Sequence, residues 1–161
     1  MQTSKEAQKA AFLSFFKTHR LALFVSIAVL VLDQITKNLA LKHMYAGQSI
    51  PLIENTFHLT FIQNTGIAFG LFQNSNFFFL ITSLAIMLGV IYVLLHTPKG
   101  EKSTHALLGM VLGGAMGNIV DRIFLGYVVD FLDFRIWPVF NVADSAITIA
   151  IIGLIIVLWK K

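Results

Sequence analysis

Four long apolar stretches, at about 21–41, 77–95, 106–123 and 142–159, constrain this chain more than any other feature. Each is about the length a helix needs to cross roughly 30 Å of hydrocarbon at about 1.5 Å per residue. Of the 161 residues 57% are hydrophobic and 12% charged, about half the charged share of a soluble domain. The expected fold is an all-α membrane protein: a four-transmembrane-helix bundle formed by 21–161, preceded by an N-terminal extension, 1–20. In that extension Phe12, Leu13, Phe15 and Phe16 stand among lysines, the pattern of an interfacial helix. The basic start followed by an apolar run also resembles a cleaved signal peptide, but no small-x-small site follows and the helical pattern continues to Leu41.

Eight of the twelve basic residues fall before the first span, between the second and third, or after the fourth. The positive-inside rule makes that side cytoplasmic, so both termini are expected inside and the connections 42–76 and 121–141 outside. The net charge of +4 is thus a topology signal, and no nucleic-acid partner is expected. The chain lacks cysteine, which excludes disulfides and thiol chemistry. His19, His43, His58, His96 and His105 show no metal-ligand spacing, so neither metal nor cofactor is expected.

The outer connection 42–76 differs in kind from the spans. Residues 56–62 alternate polar and apolar at the strand period, Asn64-Thr65-Gly66 supplies a turn, and Gly70 a second flexible point. A small extracytoplasmic β element is expected over about 45–72.

Half of the eight acidic residues, Asp33, Asp121, Asp130 and Asp144, lie at or just beyond span ends. A carboxylate near bilayer depth costs roughly 2.5–3.5 kcal/mol on insertion scales, so each needs a partner or a task. Asp33 and Lys37 are spaced i,i+4, which gives either an ion pair at a helix end or a brace for an outer site. Gly109, Gly113 and Gly117 form a small-xxx-small stripe for close helix packing. Asn118, Asp121 and Arg122 then form one polar face, where Arg–Asp pairing is the structural reading and the deeper Asn118 needs a specific partner. Asn141 with Asp144 three residues on resembles a helix cap. Asp130 and Asp144 also form a candidate pair. Two carboxyls brought together share one proton, leaving one as general base on water and the other as general acid.

In order along the chain, five motifs resemble the bacterial lipoprotein signal peptidases, or type II signal peptidases. They are Asp33-Gln34 with Lys37; 64–69 (Asn-Thr-Gly-Ile-Ala-Phe); 113–118 with Asp121-Arg122; Val129-Asp130-Phe131; and 140–145 (Phe-Asn-Val-Ala-Asp-Ser). The resemblance covers about 21–159. It implies a membrane aspartic endopeptidase without a metal, with Asp130 and Asp144 as the catalytic pair and Asn118, Arg122 and Asn141 supporting them. Asp121 accompanies these. Asn64 and Gly66 match a substrate-contacting part of the β element, and Asp33 and Lys37 a pair important to the site. The implied substrate is a diacylglyceryl-modified prolipoprotein, cleaved just before the lipidated cysteine at the outer leaflet of the bacterial cytoplasmic (inner) membrane. Membrane lipid and globomycin-type peptide inhibitors are the other implied partners. Two departures stand out: Ile67 occupies a position usually held by Ala, and the stretch between the two aspartates is short.

A small proton-coupled transporter with a carboxylate relay is the rival from a different class. It requires acids along a path through the bilayer, whereas here the cytoplasmic half of every span lacks one. A structural assembly protein using the glycine stripe leaves the clustered Asp and Asn residues without a role.

Overall fold

The structure, a computed structural model, describes residues 2–66 and 76–160. Expectations at Ile67, Gly70, Asn74 and Ser75 lie outside the described residues. Among the described residues four helices are long and apolar enough to cross a membrane: α1 (Gln2–His43), α2 (Asn76–His96), α3 (Lys102–Phe124) and α4 (Val142–Trp159). In α1 the apolar stretch is Ser14–His43, and the helix runs unbroken from Gln2 through it.

The hub is α3, which packs against each of the other three helices. Within the bundle 61% of its apolar window is buried, against 17% for α1 and α4 and 6% for α2. Its glycine stripe is what lets α1 come so close. A Cβ on Gly109 would meet the Ala22 carbonyl oxygen at 2.5 Å, and one on Gly113 would overlap that of Ser26. On another face, Gly114 makes the same allowance for α4 at Ala143. The outward surfaces of α2 and α4 carry Phe77, Phe78, Ile81, Ile86, Ile151, Ile152, Ile155 and Ile156, side chains suited to lipid.

A three-stranded antiparallel sheet sits at the carboxylate end of the bundle in the order β1 (Ser49–Ile53), β2 (Phe57–Asn64), β3 (Val128–Asp133). The first two strands form a hairpin whose turn places Asn55 at φ 58°. Alternation in the sequence marks β2, but nothing in the sequence marks β3. Residues 128–131 and Asp133 are all buried, so that strand has no polar–apolar period to read. Opposite Ile62 in β2 stands Asp130, and opposite Asn64 stands Val128. Ala40, Phe61, Val129 and Phe131 pack together and fasten the sheet to the end of α1.

Candidate active site

Lys37 is almost fully buried, and an ammonium has three donors to satisfy. It meets all three needs within one shell: Asp33 Oδ2 at 2.8 Å, Asp121 Oδ2 at 2.9 Å and Asn118 Oδ1 at 2.9 Å. Asp33 lies where it does because Gly117 has no Cβ to obstruct it. The other oxygen of Asp33 accepts from the Ala143 N–H at 2.9 Å, satisfying an otherwise orphan donor in the first turn of α4. Asp121 accepts from Val129 N–H at 3.0 Å and from Gln34 Nε2 at 2.9 Å, tying β3 and α1 to α3. One cation and two carboxylates thus join α1, α3, α4 and β3.

A chain of amides leads from this cluster to the second pair of acids. Asn118 Oδ1 receives both Lys37 and Asn141 Nδ2, the latter at 3.2 Å, while Asn118 Nδ2 donates to Asp144 Oδ1 at 2.8 Å. Asn141 Nδ2 also donates to Asp130 Oδ1 at 2.7 Å, and Asn141 Oδ1 accepts from Asp144 N–H at 2.9 Å. Asn141 is therefore both the N-cap of α4 and the link between the two aspartates, so the two readings open from sequence describe one residue. Asn64 Nδ2 donates to Asp130 Oδ2 at 2.8 Å. Asp130 is buried while Asp144 is half-buried. Burial first, and the nearby Asp144 charge second, raise the Asp130 carboxyl from the ordinary carboxylate range to about 7; hydrogen bonds from Asn64 and Asn141 work the other way.

The Arg122–Asp121 pairing considered from sequence does not form. Asp121 is held by Lys37, and among the described residues Arg122 has no ion pair. Its Nη1 donates to the Asn118 carbonyl at 3.3 Å, its guanidinium lies 5.8 Å from the Phe79 ring centre, and its charge acts on Asp144, Asp130 and Asp121. Gly66, at φ 92°, donates its N–H to Asn64 Oδ1 at 2.8 Å and leaves no room for a Cβ against the Phe79 ring. All ten singled-out positions thus fall at one end of the bundle: Asp33, Lys37, Asn64, Gly66, Asn118, Asp121, Arg122, Asp130, Asn141 and Asp144.

Sequence reasoning missed Gln34 as a bridge between acids, and it missed a second carboxylate on β3. Asp133 accepts from Thr60 Oγ1 at 2.7 Å and from the backbone and guanidinium of Arg135 at 2.8 and 3.0 Å. The cross-strand pairing of β2 with β3 creates that contact, which no spacing in the chain announces. Two hollows flank the aspartates. One, of about 550 Å³, runs from Asp130 and Asn64 past Asp133 and Arg135 to Trp137. The other, of about 490 Å³, is apolar and descends from Asp144 between Trp137, Phe140 and Ile149. Such an arrangement can hold an extended chain beside the acids with an apolar group below it. Among the described residues no three His, Asp or Glu side chains are grouped to hold a metal ion.

Comparison with known proteins gives this geometry a family. Residues 25–160 match the family described as Signal peptidase (SPase) II. The chain is 41% identical over 137 residues to the lipoprotein signal peptidase of Halothermothrix orenii, covering 85% of this chain and 94% of that one. To the enzyme of the same name from Brevibacillus brevis it is 45% identical over 129 residues, covering 79% and 87%. A bacterial membrane enzyme structure obtained by the in meso method at 1.9 Å superposes with a TM-score of 0.80 at 31% identity, covering 87% of this chain and 93% of that one.

Proposed function

The chain belongs to the signal peptidase II family, bacterial multi-pass membrane proteases that remove signal peptides from prolipoproteins, and on that premise we propose that it is an aspartic endopeptidase whose hydrolysis is carried by Asp130 and Asp144. The observation behind this reading is the amide-linked pair: two carboxylates bridged through Asn141 and Asn118, one buried and holding its proton to about 7. Both Asp130 oxygens already accept amide N–H bonds. Asp130 opens onto the hollow proposed to take the peptide, where its proton can be given to the substrate.

In the proposed reaction, Asp144 accepts a proton from water as the water oxygen bonds to the scissile carbonyl carbon. Asp130 gives its proton to the carbonyl oxygen, so the tetrahedral intermediate is a neutral diol. Collapse breaks the C–N bond. The departing nitrogen takes the proton from Asp144, and Asp130 recovers one from the diol, leaving a carboxylic acid and an amine and restoring both aspartates. Arg122 is half-buried and without an ion pair among the described residues, and its positive charge acts on both Asp144 and Asp130. The substrate is a prolipoprotein diacylglyceryl-modified on its cysteine, cut just before that cysteine. The 550 Å³ hollow takes the peptide, and the apolar one beside Asp144 accepts lipid or apolar side chains. Both termini face the cytoplasm, the pair sits at the outer leaflet, and globomycin-type peptides compete for the same groove.

The test is cleavage of a synthetic diacylglyceryl lipobox peptide by the purified chain in detergent. Wild type cuts before the lipidated cysteine, and Asp130→Asn and Asp144→Asn do not, while both keep wild-type helicity. Normal turnover by either variant would sink the assignment of the pair.

A further inference from the structure

The bundle has a second polar feature at the end opposite the carboxylates. Ser14, Lys17 and Thr18 share one face of α1 at i, i+3 and i+4, and Arg20 follows Lys17 by three residues. Lys99, from the loop between α2 and α3, closes the other side, and together these five residues line a hollow of about 570 Å³. Lys17, Arg20 and Lys99 are exposed, and none has an ion pair among the described residues. No carboxylate is among the described residues that line the hollow. A topology signal alone requires only that cations be somewhere in these segments. It does not require them to converge from two elements on one concavity beside a serine and a threonine hydroxyl.

Depth along α1 indicates what fills the hollow. The apolar stretch Ser14–His43 has 30 residues, so it rises about 45 Å, which equals the hydrocarbon core plus both headgroup layers. Lys17 and Lys37 are about 30 Å apart along the axis, one hydrocarbon thickness. With Lys37 at one boundary, Lys17 and its neighbours stand in the headgroup layer of the other leaflet. We propose that Lys17, Arg20 and Lys99 form a binding site for the phosphodiester headgroup of an acidic phospholipid. Two ammonium groups supply point charges, the Arg20 guanidinium offers a planar fork to phosphate oxygens, and the Ser14 hydroxyl donates beside them. The lipid tails lie along the apolar flank of α1, where Phe24 and Ile27 are exposed. Assignment to the cytoplasmic leaflet rests on the topology proposed above; the site itself does not depend on the peptidase reading.

Binding is measured by native mass spectrometry on the full chain, delipidated in detergent, with added phosphatidylglycerol or phosphatidylcholine. Wild type retains phosphatidylglycerol in preference to phosphatidylcholine. The triple variant Lys17→Gln/Arg20→Gln/Lys99→Gln binds it about a hundredfold more weakly, since each of the three cations at an anionic surface contributes about a fivefold factor. A charge-matched variant, Lys5→Gln/Lys102→Gln/Lys160→Gln, stays within about twofold of wild type. Equal losses in the two triple variants would make the effect one of net charge and overturn the site. Equal retention of both lipids by wild type would overturn it independently of any variant. Displacement of phosphatidylglycerol by equimolar inorganic phosphate would identify free phosphate as the ligand and overturn the lipid assignment. None of these readouts involves peptide cleavage, so failure here and failure of the proposed catalytic pair are distinguishable.

Discussion

Two groups of carboxylates lie side by side at one end of this bundle, and only one of them contains a cation. Asp33 and Asp121 share Lys37, whose three donors are all engaged, and their remaining oxygens accept from backbone or amide N–H groups. Among the described residues, Asp130 and Asp144 receive side-chain bonds only from neutral donors: Asn64, Asn141 and Asn118. A buried ammonium supplies the counter-charge that the carboxylates around it need. An amide donates a hydrogen bond without supplying a counter-charge, and buried Asp130, held this way, has its carboxyl raised to about 7. The first group is held around a shared cation, whereas the second is held by neutral amides. Asn118 belongs to both, which links the position of the Asp130–Asp144 pair to the ion-paired group beside it.

The comparison breaks first, and most widely, in activity. Asp130→Asn or Asp144→Asn lowers peptide cleavage by about 10²–10⁴-fold, the range removed with a general acid or base, and leaves the protein folded. Lys37→Met acts on the other group. It leaves two buried carboxylates with no counter-charge, and unfolding measured in detergent shows a loss of about 3–5 kcal/mol. Adding Asp33→Asn to that variant recovers part of the loss. Should Lys37→Met be as stable as wild type, the two groups would not differ in kind.

Next comes the response to pH. The folded chain holds a proton on Asp130 up to about pH 7, where an unfolded carboxyl has long released it. Stability from this group is therefore full below about pH 4 and is lost as pH rises through 7. Between pH 5 and pH 8 the loss is on the order of 2 kcal/mol. Thermal unfolding of Asp130→Asn compared with wild type checks the sign, because that variant loses this slope and becomes the more stable protein above pH 7.

How much of this was legible in the chain depends on the reach of each signal. The four spans are local, since hydropathy over some twenty residues decides them, and α4 begins at the residue where its cap is written, Asn141. The β2 strand is also local, because its alternation shows in a handful of residues. The failures are contacts between distant segments. Asp121 stands next to Arg122 in sequence but pairs with Lys37, because the glycine stripe draws α1 against α3 and delivers that ammonium into the interface. Residues 128–133 carry no alternation because nearly every one of them is buried, so their strand and the Asp133–Thr60 contact emerge only when β2 is laid beside them. The motifs identify which polar residues matter, and the packing decides which of them meet.

The finest division between the two groups is a single donor. Asn64 and Asn141 each stabilise the charged form of Asp130, and removing Asn64 disturbs less: beyond Asp130 it costs the bond from the Gly66 N–H. Asn141 also caps α4, and loss of such a cap costs about 1 kcal/mol on its own. Asn64→Ala removes one hydrogen bond to the carboxylate and leaves Asn141, Asn118 and the Lys37 group untouched. A bond of about 1 kcal/mol is equivalent to roughly 0.7 of a pH unit, so the Asp130 proton is held to higher pH by about that amount. The alkaline limb of the cleavage profile then moves upward, whereas Lys37→Met destabilises the fold and gives no such selective displacement. An Asn64→Ala profile that coincides with wild type would show that the limb belongs to another group. A profile shifted downward would mean that Asn64 bonds the protonated form of Asp130 rather than its charged one.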